Sequence, residues 1–217
     1  MNTERLIDAL AQSLAPSPPL ASPGVRAGWW LLGAVAYLSV ITLMMASPAE
    51  VATNAGGWPF MFYQLAAIVT AATAAAAAFA STVPGHSGRM LPLTALAAIA
   101  WLGSLVIGAA QEWTRDEVNL AAPGEWGCVA VMLLGGGLPG LGLALMLRQG
   151  ASLAPALTAG MGTFATVILA SVAACLSHPH PSTAITFVWH GTTILVLVAI
   201  AATAGRAVLP WNTPRYQ

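Results

Sequence analysis

The sequence has no lysine, and its 217 residues carry only seven arginines and seven acidic residues. Charged residues make up 6% of the chain, against the quarter expected of a soluble domain, while 58% are hydrophobic. No water-soluble fold hides that much apolar surface, so the scarcity of charge excludes an aqueous domain. It also argues against direct nucleic-acid binding, which needs a basic face. Alternating apolar runs of roughly ten residues, the mark of an outer-membrane barrel, are absent. So are a glycine-rich phosphate loop, a nucleophile elbow and a paired-histidine zinc protease motif, which argues against an enzyme. No Asp, Glu or Arg falls deep within an apolar run, and this removes the proton relays and counter-ion sites of ion-coupled transporters. The first 25 residues hold prolines and acids ahead of any apolar run, so no cleavable signal peptide is expected.

What the chain does have is six long apolar stretches: Ala27 to Ala46, Phe60 to Ser81, Leu91 to Ala110, Cys128 to Leu147, Ala154 to Cys175 and Ala184 to Val208. A helix rises ~1.5 Å per residue and the hydrocarbon layer is ~30 Å thick, so a crossing takes roughly 20 residues. The expectation is an all-α polytopic membrane protein with six transmembrane helices, preceded by a short cytoplasmic N-terminal amphipathic helix. Residues 1–25 form the N-terminal segment and tether, 26–210 the membrane domain and 211–217 a C-terminal tail. Short linkers make neighbouring spans antiparallel. Arg5, Arg26, Arg89, Arg148, Arg206 and Arg215 all fall on one side, whereas Arg115 shares the other with Glu50, Glu112, Asp116, Glu117 and Glu125. Basic residues stay inside during insertion, which places both termini in the cytoplasm of a bacterial inner membrane. Trp29, Trp30, Trp58, Trp113, Trp126, Trp189 and Trp211 flank the spans, as interfacial rings do, and Trp101 alone lies mid-span. Gly136 and Gly140, four apart, and the alanine run Ala74 to Ala78 permit close helix approach.

In the cytoplasmic segment, Leu6, Ile7, Leu10 and Leu14 recur at helical spacing, with Glu4, Arg5, Asp8, Gln12 and Ser13 on the opposite face. Pro16, Pro18, Pro19 and Pro23 then end the helix and make a stiff tether. A helix of three turns is marginal alone in water, so its leucine stripe needs cover, either the bilayer surface or a partner's groove. Surface anchors usually carry a basic polar face, and this one holds two acids against one arginine.

Cys128 and Cys175, the only cysteines, fall at the outer ends of spans at similar depth. Cys175-Leu-Ser-His178-Pro-His180 adds two imidazoles, and His190 lies some two turns into the last span. Thiolate with imidazole suits a soft metal ion such as Zn, Cu or Cd, and an outward thiol pair is equally suited to a disulfide or to oxidant sensing. The competing assignment is two small buried hydrophobes and ordinary loop histidines. His190 faces either a cavity or a structural hydrogen bond to a neighbouring helix. Glu112, Arg115 and Asp116, three and four apart, suggest a solvated ion pair.

Several short motifs occur in order along nearly the whole chain: Thr3-x-x-Leu6-Ile7-x-x-Leu10 before the proline-rich tether, Val83-Pro84-Gly85, Trp126-Gly127-Cys128, and Cys175 with His178 ahead of Trp189-His190. In these the chain resembles the NrsF-type membrane anti-sigma factors, the negative regulators of sigma F. The resemblance implies a six-helix inner-membrane protein whose N-terminal segment withholds an extracytoplasmic-function sigma factor from RNA polymerase. It further implies that the two outward cysteines sense metal or oxidative stress. One departure is the loop after the second cysteine, which reads Ser177-His178-Pro179-His180-Pro181-Ser182, where family members often carry a charged or acidic residue. The alternative is a membrane redox or metal-handling protein, carrier or enzyme, built on the same thiol and histidine cluster.

Overall fold

The computed structural model describes residues 3–13, 20–85, 88–115, 126–177 and 182–209. All regular structure among them is helical: α1 (Thr3–Ser13), α2 (Pro23–Met45), α3 (Pro48–Asn54), α4 (Trp58–Ala80), α5 (Met90–Thr114), α6 (Trp126–Leu147), α7 (Pro155–Ser177), α8 (Thr183–Ile185) and α9 (Gly191–Val208). A π-helical turn, Thr186–His190, joins α8 to α9. Six of these segments are long and apolar enough to cross a membrane, as expected, the last running from Thr186 to Val208.

The helix ends follow local chemistry that apolar run length does not see. Proline stands in the first turn of α2, α3 and α4, where its missing N–H costs nothing and its fixed φ starts a helix. Starting at Pro23 takes Arg26 into the first turn of α2, inside the span and not ahead of it. The short helix α3, which hydropathy does not reveal, opens with a capping box: Glu50 N–H reaches the Ser47 hydroxyl at 3.3 Å and Ser47 N–H reaches the Glu50 carboxylate at 2.7 Å. The Ser47 N–H, with the Ser47 hydroxyl beside it, holds the Glu50 carboxyl below its ordinary range. After α4 the chain reverses at Val83-Pro84-Gly85, where Gly85 has φ +74° and so needs a residue without a β-carbon.

Helix α7 is the centre. It packs on α2, α3, α4, α6 and α9, and 78% of its apolar stretch is buried, against 17% for α5 and 11% for the last span. Lipid offers no hydrophobic reward for helix association, so close van der Waals packing of small residues must supply it. Ala67, Ala71, Ala74, Ala75 and Ala78 of α4 are fully or almost fully buried, as are Ala165, Ala170 and Ala174 of α7. Added β-carbons on Gly136 or Gly140 of α6 would fall 3.7 Å and 3.4 Å from the Thr166 methyl. Gly205 of α9 approaches α7 more closely still, for a β-carbon there would lie 2.5 Å from the Pro155 carbonyl oxygen. Gly135, Gly136, Pro139 and Gly140 therefore form a packing face of a continuous α6, while Gly137 and Leu138 of the same run stay exposed.

Trp29, Trp58, Trp113 and Trp126 are well exposed near helix ends, but Trp30 is not interfacial. Its indole is buried between α2 and α6 and donates to the Pro139 carbonyl at 2.9 Å.

Candidate functional site at the cysteine-bearing end

The alternation of antiparallel spans gives the bundle two unlike ends. Arg26, Arg89, Arg148 and Arg206 mark one. There the Arg26 guanidinium is buried, donating to the Met146 carbonyl and, at 3.4 Å, to the Thr82 hydroxyl, with its plane over the Phe79 ring at 4.5 Å. Arg148 Nε donates to the Val208 carbonyl at 2.8 Å, and Ala151 N–H to that of Thr82 at 3.1 Å. Helices α2, α4, α6 and α9 are thus tied together at this end.

The other end carries the cysteines. Cys128 opens the first turn of α6, half-buried, and Cys175 lies two residues from the end of α7, 2% exposed. Both are thiols. Around Cys175 the groups are neutral: the Tyr63 hydroxyl at 3.7 Å from its sulfur, and the Gln64 amide and Thr186 hydroxyl beside it. Tyr63 stacks on Trp101 of α5 with centroids 6.4 Å apart and planes 21° apart. Gln64 Nε2 and Oε1 and Trp101 Nε1 are buried with no hydrogen-bond partner in the protein. Leaving a buried donor or acceptor unmatched costs about 1–3 kcal/mol. A cavity of about 310 Å³ has Tyr63, Ser104, Cys175 and Thr186 in its wall.

Trp126 and Trp189 meet edge to face with centroids 5.0 Å apart. This contact brings the Trp126-Gly127-Cys128 and Trp189-His190 motifs together from the starts of the fourth and sixth spans. His190 is buried at the end of the π-helical turn, 3% exposed. Wide turns of this kind recur at functional positions.

Glu112 does not make the solvated ion pair that spacing suggests. Its carboxylate accepts from the Ser182 hydroxyl (2.5 Å), Thr183 N–H (2.8 Å) and Ala184 N–H (3.0 Å), covering the exposed start of α8 with a charge from α5. Asn54 of α3 likewise donates to the Leu176 carbonyl at 3.1 Å, fastening α3 over the end of α7 next to Cys175. Tyr63, Gln64, Trp101 and Asn54 gather toward this end of the molecule, and sequence spacing singles out none of them as its members; it does place Glu112 here, but with Arg115 and not the start of α8 as its partner.

Of the residues expected here, His178 and His180 lie outside the described residues, as does Leu14. Among the described residues no three Cys, His, Asp or Glu side chains converge as a metal-ligand group. In α1 the Ile7 side chain is 59% exposed. A family model described as NrsF, negative regulator of sigma F, matches residues 10–211. No curated protein and no solved structure matches the chain.

Proposed function

Since the chain belongs to the family of negative regulators of sigma F, we propose that it is an anti-sigma factor of the bacterial inner membrane that holds an extracytoplasmic-function sigma factor through residues 1–25. The arginine-bearing end then faces the cytoplasm, and the cysteine-bearing end faces outward. The outer thiols Cys128 and Cys175 read metal or oxidative stress, and a soft metal would recruit His178 and His180 to complete its ligand set.

The observation that carries the sensing half is the position of Cys175, buried at the tip of the helix against which most of the bundle packs. A chemical change there cannot stay local, because every neighbour of α7 must accommodate it. A bias of about 1.4 kcal/mol between two bundle arrangements changes their ratio tenfold. The observation that supports partner binding is the apolar residue Ile7, left exposed on a helix too short to be stable alone.

The test is sigma-dependent transcription in cells carrying the full chain. A leucine seated in a partner groove is worth roughly 1.5–3 kcal/mol, so Leu6→Glu or Leu10→Glu is expected to weaken sigma binding at least tenfold and switch the regulon on at normal membrane abundance. Cys128→Ser and Cys175→Ser are each expected to abolish induction by oxidant or soft metal, with the double variant no worse than either. Unchanged basal transcription in both leucine variants would refute the role of α1. Full induction in the double cysteine variant would remove the thiols from sensing.

A further inference from the structure

Helices α6 and α9 both pack on α7 and barely on each other, which leaves a slot between them with α7 as its floor. The slot has a volume of about 410 Å³. Small residues make it deep: Ala159 and Gly162 of α7 in the floor, and Gly137, Gly140 and Ala144 in the α6 wall. A β-carbon added at Gly137 would meet nothing within 4 Å, so the space beside it is open. The α6 residues of the wall run from Leu133 to Leu147, a length of about 21 Å. An acyl chain of one leaflet covers about 15 Å, half the hydrocarbon thickness.

Arg148 stands across the slot at the arginine-bearing end. It continues the helical stripe of Gly137 and Ala144, and its N–H still bonds the Ala144 carbonyl at 3.0 Å. Its Nε donates to the Val208 carbonyl of the opposite wall, which fixes the guanidinium over the mouth. The two terminal nitrogens have no hydrogen-bond or ion-pair partner among the described residues, and the side chain is exposed. No acid of the bundle is placed to meet them. From residue 20 onward the described acids are Glu50 and Glu112, both at the opposite end.

A fixed fork of cationic donors above an apolar slot, at the edge of a bilayer, matches a phosphate joined to an acyl chain. A second copy of the chain fits worse, because two copies inserted the same way bring Arg148 against Arg148 with no acid between them. We propose that the slot holds one acyl chain of an anionic phospholipid, its phosphate on the terminal nitrogens of Arg148. Arg26, Arg148 and Arg206 make this end positive, so a headgroup that carries its own ammonium is the weaker occupant. The chain joins α6 to α9 by packing where the protein joins them by the Arg148 hydrogen bond.

The test is native mass spectrometry of the purified full-length protein, delipidated in detergent and titrated with dioleoyl phosphatidylglycerol or dioleoyl phosphatidylcholine. The two share their chains and differ in headgroup. One phosphatidylglycerol per protein is expected, held at least fivefold more tightly than phosphatidylcholine. Arg148→Gln should weaken it about fivefold, the worth of one basic group facing an anionic headgroup. Gly137→Leu fills the slot, leaves the guanidinium in place and should weaken both lipids. Because Arg148→Gln also removes the tie to Val208, each variant is melted, and if that one melts earlier than the parent the Gly137→Leu result decides. Equal retention of the two lipids, or retention unchanged in folded Arg148→Gln or in Gly137→Leu, overturns the proposal. Displacement of the lipid by inorganic phosphate overturns it in favour of a soluble anion, and a dimer abolished by Gly137→Leu overturns it in favour of a second copy. Sigma release plays no part in this measurement, so its failure leaves the anti-sigma reading untouched.

Discussion

Arg26 does two jobs with one side chain. In the proposed orientation its charge lies on the cytoplasmic side, while its guanidinium braces α2 against α4 and α6 through neutral partners, a carbonyl, a hydroxyl and the Phe79 face. The planar, multi-donor group is what fits, since a point-charge ammonium can neither fork nor stack. Arg26→Met keeps the bulk and removes every donor, so a loss of about 1–3 kcal/mol is expected. Arg26→Lys should fall between the two. Thermal melts of the detergent-solubilised protein check the order, and equal melting of all three would show the brace to be idle. Run length puts Arg26 before the first span. Its real place depends on Ser22-Pro23 starting the helix a turn earlier, and on contacts with residues 56 and 120 positions away.

Among the elements, the small ones at the cysteine-bearing end decide its shape. Helices α3 and α8, of seven and three residues, are held down by single side chains, Asn54 on α7 and Glu112 of α5 on α8. Glu112→Gln would leave one carbonyl oxygen where a charged carboxylate now serves three donors. A hydrogen bond to a charged group is worth about 1.5–3 kcal/mol, so exchange of the Thr183 and Ala184 amides should speed up at least tenfold. Hydrogen-exchange mass spectrometry over residues 182–190 reads this directly, and unchanged protection would refute the clasp. None of it is legible in the sequence, because Ser182 is 70 residues from Glu112 and a local pattern offers Arg115 as the obvious mate. The thiols themselves were legible, being the only two and both at span ends. Their neighbours Tyr63, Gln64 and Trp101 read as ordinary residues of apolar helices.

On the scale of the whole molecule, the six spans can be read from run length alone, and the residue match to a sigma regulator family fits that architecture. Reporter fusions active only in the cytoplasm should be bright near residues 88, 150 and 217 and dark near 54, 119 and 180. Reversal at any two of these positions would overturn the arrangement with both termini inside. What hydropathy cannot give is which helix stands in the middle. In lipid, the outside of a bundle is as apolar as its inside, so burial leaves its trace in size, as the glycines and alanines of α7 do. That central helix is the fifth span to leave the ribosome. The four made before it include α4, whose alanine face has its main partner still unsynthesised, and α6, whose glycines meet α7. Those thin faces wait for a partner made after them, and α7 in turn waits for α9, which packs on it from the last span. The second cysteine, placed near the end of that helix, enters the membrane domain only after four spans are made and just before the last.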